Sequence, residues 1–208
     1  MEAASTDGSP TASSPRHQPI CSAMTSLRVL LSLVVAGLLL QASPAQAQEQ
    51  VFGEEVLGPG VKMTFLVAPA GDVEPAAQNL SESRSDLHLE VLSGWTEAAS
   101  DEVGAPAGGF VPYLRLFATV TNEETGQVKK ATLVPHVNQT DNFHYARNIA
   151  LPGAPDDPYR VAFEVHPPQT LELATHSDWR TAYGTQLFAP ATVTYNNLQL
   201  EEIVRATR

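Results

Sequence analysis

Apolar residues in this chain recur at every second position, and no segment carries a sustained 3.6-residue period. Tyr113–Thr121 (YLRLFATVT) is the clearest case: Leu114, Leu116, Ala118 and Val120 fall on one face, Arg115, Phe117 and Thr119 on the other. Period two marks a half-buried strand, so the chain is constrained to β structure. Val61–Ala68, Leu87–Leu92, Val128–Val134, Pro158–His166 and Leu187–Asn196 read as further strands. Leu198–Val204 is a last strand candidate, and Leu198–Arg205 is also the best helix candidate. Asn122-Glu-Glu-Thr-Gly126 is a turn that joins two strands into a hairpin. Thr96–Gly109 and Leu151–Asp157 read as loops by composition. Short strands separated by Gly, Pro and Asn turns predict an antiparallel β-sandwich in one domain.

The first stretch stands outside that domain. Arg28, the twelve-residue apolar run Val29–Leu40 and the small-residue site Ala45-Gln46-Ala47 form the pattern of a secretory signal peptide. The run is too short for a permanent span, which needs roughly 20 residues. We expect residues 1–47 to be leader and signal peptide, cleaved after Ala47, and residues 48–208 to be one exported domain with no membrane insertion of its own. The natural start is either Met1 with a long leader or Met24. Cys21, the single cysteine, falls in the leader, so packing alone, or packing with a metal, must hold the exported domain. The leader carries two basic and two acidic residues, leaving 10 against 21 and an unchanged net charge of −11. That acidity argues against nucleic acid and anionic lipid as partners and suits cations.

Five histidines remain after the leader: His88, His136, His144, His166 and His176. Imidazole is the commonest transition-metal ligand. His88 lies inside a predicted strand, in Asp86-Leu-His-Leu-Glu90, so His88, Glu90 and Asp86 share one face and Leu87 and Leu89 turn to the core. His136 ends a strand, and Asp141-Asn-Phe-His144-Tyr145 follows, so a return of the chain brings His136 and His144 together. His176 sits in a loop after the Pro167-Pro168 break. His166 faces away from the core on the Phe163/Val165 alternation and reads as a surface residue. The spacings match no local zinc or metalloprotease motif.

From His88 onward the chain resembles the periplasmic ferrous-iron transport protein family, small exported proteins associated with high-affinity iron permeases. The resemblance rests on His88-Leu89-Glu90, Val111-Pro112-Tyr113-Leu114, Thr121-Asn122 with Thr125-Gly126, Pro135-His136, Asp141-Asn-Phe-His144-Tyr145, Asn148-Ile149, Val165-His166-Pro167-Pro168 and His176-Ser177-Asp178. It implies an immunoglobulin-like β-sandwich, a homodimer, copper binding and a link to iron uptake. It also implies a metal site of His88, His136, His144 and His176, with Glu90 and Asp141 as carboxylate ligands. Four features depart from the family pattern. His136 replaces the family's methionine, the loop from Pro135 to His144 is one residue longer, Glu164-Val165-His166 reverses the family's order, and the late tryptophan-rich segment is reduced to Trp179 and Tyr183. Thioether favours monovalent copper, whereas imidazole suits divalent copper, zinc, nickel and iron. The exchange at His136 therefore predicts copper and/or iron bound as divalent ions, with zinc possible.

These readings give a periplasmic, non-enzymatic metal-binding protein that captures or delivers metal to an inner-membrane iron permease. A metal-dependent enzyme, either a copper oxidoreductase or a metal hydrolase, is one alternative; Glu90 or Asp178 would then act as its acid or base. A blue-copper electron-transfer site would need a cysteine thiolate that the exported part lacks. A metal-free β-sandwich for adhesion or assembly is the other.

Overall fold

The computed structural model describes residues 49–207, so the signal peptide expected in residues 1–47 lies outside the described residues. Eight strands follow in order: β1 (Gln50–Leu57), β2 (Val61–Ala68), β3 (Leu87–Trp95), β4 (Arg115–Asn122), β5 (Val128–Val137), β6 (Phe143–Ile149), β7 (Tyr159–His166) and β8 (Ala191–Leu198). Three seven-residue helices punctuate them: α1 (Glu97–Val103), α2 (Ser177–Tyr183) and α3 (Glu201–Thr207). Every neighbouring strand pair is antiparallel. Among the described residues no helix is long and apolar enough to cross a membrane.

The all-β antiparallel class holds, and the strands run as one connected sheet rather than two separate ones. The strands form one ladder in the order β1-β2-β3-β6-β5-β4-β7-β8. The cause is β5, which changes partner along its length. Val128–Leu133 pairs with β4, and Val134–Val137 pairs with β6. Pro135 falls where only β6 flanks β5, the kind of edge position a residue without an N–H tolerates.

The ladder then curls until its two edge strands approach. Phe52 of β1 lies 5.7 Å from Tyr195 of β8, ring to ring, and Phe65 of β2 lies 4.8 Å from Phe163 of β7. Gly53 makes the closure possible, since a Cβ there would stand 2.8 Å from the Tyr195 ring. The core fills the curl on strict alternation: Val61, Met63, Phe65 and Val67 of β2 meet Tyr159, Val161, Phe163 and Val165 of β7, all buried. The result is a sheet nearly closed into a barrel.

The β4–β5 hairpin is as expected. Asn122 Oδ1 accepts from the amides of Glu124 and Thr125 at 3.0 and 2.8 Å, and Gly126 takes φ 74°. Of the two readings after Leu198, the helical one holds: α3 buries Ile203, Val204 and Thr207. The segment Thr96–Gly109 is not all loop. Thr96 caps α1 by accepting from the Ala99 amide at 3.2 Å, and Gly104 ends it with φ 68°.

Candidate metal centre

On β3 the alternation sends Leu87, Leu89 and Val91 into the core and turns His88 and Glu90 to the opposite face. That face is not open. His88 is 8% exposed and Glu90 3% exposed. The β5–β6 hairpin supplies the other two imidazoles. His136 and His144 are direct partners across the ladder, a position that brings side chains on one face together. The three rings lie 5.2 Å (His88–His136), 6.2 Å (His88–His144) and 5.9 Å (His136–His144) apart, centre to centre. One ring nitrogen from each falls within 4.8 Å of the others.

These residues line a pocket of about 550 Å³ with Glu49, the β2–β3 connection at Gly71–Glu74, and Pro135, Asn138 and Asp141. The donor set fits a transition metal. Three atoms that close lie within about 2.8 Å of a common point, against metal–nitrogen bonds of about 2.0–2.1 Å, so a sub-ångström inward shift of each suffices. His136 Nε2 is buried with no hydrogen-bond partner, and so is Glu90 Oε2. Orphaned buried groups of this kind are costly and need an explanation; a cation would satisfy both.

The electrostatics favour the neutral forms of His88, His136 and Glu90. Burial, then the neighbouring His88, His144 and Arg147, pushes His136 down to about 4. Burial also lowers His88, against the opposing bond from Asn148. Glu90 is pushed up to about 8 by burial first and by the charges of Asp141 and Glu49 second. Near neutral pH, therefore, the His88 and His136 nitrogens are free of extra protons and ready to coordinate, while Glu90 holds a proton that a nearby cation would displace.

The sequence-derived ligands are not all gathered. His88, His136 and His144 converge, and Glu90 Oε1 stands 3.7 Å from His88 Nε2. Asp141 lines the pocket, but Asn138 Nδ2 donates to its carboxylate at 2.8 Å. His176 is exposed at the N-cap of α2 and borders a different pocket, with Trp95, Trp179 and Leu187. Within one chain it does not join the triad. Asp86 points instead to the Leu151 amide at 2.8 Å. His166 faces outward as expected, against Glu164 and the Phe117 ring. Glu49 and the role of Asn148 at the site escaped the sequence reading. Glu49 belongs to no pattern, and Asn148 reaches the site only because β6 pairs with β3.

Three imidazoles gathered on an antiparallel β scaffold define the class: a β protein with a cluster that could hold a metal ion. The chain belongs to the Fe2+ transport protein family, whose pattern matches residues 46–201. It is 31% identical to a UPF0423 protein of Brucella abortus over 176 residues, covering 83% of this chain and 93% of that one. It resembles the copper-reconstituted P19 protein of Campylobacter jejuni at a TM-score of 0.59 and 27% identity, covering 72% of this chain and 94% of that one. A copper-bound variant of FetP from uropathogenic Escherichia coli strain F11 aligns at a TM-score of 0.58 and 27% identity, covering 72% and 95%. FetP from the same strain was recombinantly expressed in the periplasm.

Proposed function

We propose that this protein is an exported, periplasmic metal carrier of ferrous-iron uptake, which takes copper and/or iron at His88, His136 and His144 and passes it to an inner-membrane iron permease. The observation that carries the reading is the convergence of three imidazoles around the orphaned His136 Nε2. Copper in the P19 and FetP structures supports the choice of ion. The role is capture and delivery rather than catalysis. Glu90 and Asp141 supply carboxylates beside the triad and complete the set as a site of intermediate affinity. His176 joins the ligands from a second copy of the chain in a homodimer, since its own chain holds it apart from the triad.

With imidazole at position 136, the centre favours divalent ions, zinc included, over monovalent copper. Titration of the untagged, metal-free protein with both copper oxidation states tests this. Divalent copper is expected to bind the more tightly and to stabilise the fold by about 2.7 kcal/mol at a hundredfold excess over Kd. Much tighter binding of the monovalent ion would contradict the divalent preference. No binding and no thermal shift with copper, zinc or iron would remove the metal reading altogether.

A further inference from the structure

The amide of Asn148 is fixed from one end. Asn148 stands directly across the ladder from His88. Its Nδ2 donates to Gly71 O at 2.7 Å and to Leu80 O at 2.8 Å. Carbonyl oxygens only accept, so this end has to be the NH2 group. The other end is then Oδ1, also an acceptor, and it lies 2.6 Å from His88 Nδ1. Two acceptors would repel at that distance, so His88 carries its proton on Nδ1 and donates it to Asn148. The lone pair stays on Nε2, the nitrogen turned toward Glu90.

We infer that Asn148 is a positioning residue of the metal centre: its amide, locked by Gly71 and Leu80, dictates the Nδ1–H tautomer of His88 and so presents Nε2 to the ion. This rests on the reading of the triad as a metal centre. The same bonds tie a ligand to the pocket wall, because Gly71 and the next three residues line the pocket. Arg147 fastens that connection a second time, donating to Gln78 O at 2.6 Å and Asn79 Oδ1 at 3.0 Å. His144 is set differently. Its Nδ1 lies 3.1 Å from the Asn142 carbonyl, an acceptor that side-chain substitution leaves in place. His88 instead depends on one side chain, which opens its tautomer to mutation. Outer partners of this kind typically change metal affinity about 10–100-fold.

Long-range 1H–15N NMR of the metal-free protein, labelled at histidine, reports which nitrogen of His88 holds the proton. The wild type is expected to give Nδ1–H. Asn148→Leu removes all three bonds, so His88 is expected to populate the Nε2–H form and copper affinity to fall about 10–100-fold. Asn148→Asp keeps an acceptor against Nδ1, but it loses the donors to Gly71 and Leu80 and sets a carboxylate oxygen against their carbonyls. It is expected to retain Nδ1–H and recover most of the affinity, although its melting temperature falls as that of the leucine variant does. A merely structural residue would lower both melting temperatures and leave the tautomer unmoved. Nε2–H in the wild type overturns the inference without requiring any variant to fold, and so does a leucine variant that keeps Nδ1–H. Wild-type protein with Nδ1–H that binds no metal counts against the proposed function, not against the Asn148–His88 geometry.

Discussion

His136→Leu is expected to lower affinity for divalent copper by more than about 100-fold, beyond what loss of a supporting partner costs, while leaving the metal-free fold intact or stabilising it by about 1 kcal/mol. The two effects share one cause. His136 Nε2 is buried without a partner, so the fold tolerates it at a cost and only a ligand repays that cost. Leucine fills similar space with no polar atom to satisfy. The pH dependence carries the same signature. His136 titrates near 4 in the fold against 6.5 in the open chain. Between those values the unfolded chain binds the extra proton, so this residue removes stability as pH falls through that window. The leucine variant lacks that loss. Isothermal titration with copper, set beside denaturant unfolding at pH 7 and pH 5, checks both halves. Affinity within a few-fold of wild type would take His136 out of the site.

The second large effect is at Glu90, and its sign is opposite. Its carboxyl titrates near 8 in the fold against 4.5 in the open chain. The native state therefore holds a proton that the unfolded state has released, and stability falls as pH rises through that range. Above pH 6.5 the opposing contribution of His136 is largely spent. From there to pH 8 the loss from Glu90 amounts to about 2 kcal/mol. Glu90→Gln keeps the shape and cannot ionise, so it is expected to hold its stability across that interval where the wild type loses it. The variant gives up a carboxylate beside His88, so its divalent-metal affinity is expected to drop. Denaturant midpoints of metal-free wild type and variant at pH 6.5 and pH 8 measure the difference. Parallel declines in the two proteins would mean that Glu90 ionises freely in the fold.

What the sequence made legible follows from where its signals are local. The β4–β5 hairpin could be read because the alternation of Leu114–Val120 runs into an Asn-to-Gly turn. The common face of His88 and Glu90 followed from period two alone, and the meeting of His136 with His144 followed from one tight return. β1 was missed because the ladder slips between Val51 and Gly53, where its alternation breaks. α2 spans seven residues, too few for a helical period to declare itself. The single curled sheet was hidden because nothing local marks the point where β5 trades β4 for β6. Asn148 meets His88 through the β3–β6 pairing, and Glu49 lines the pocket from a position remote in sequence. His176 entered the ligand set by resemblance alone; within its own chain it lies beside Trp95 and Trp179.

The proposed carrier holds one ion among His88, His136 and His144. An anomalous-scattering map at the copper edge, from crystals of untagged protein loaded with divalent copper, tests it directly. A strong peak within bonding distance of the Nε2 atoms of His88, His136 and His144 is expected. A map with copper bound elsewhere and the triad empty would contradict it.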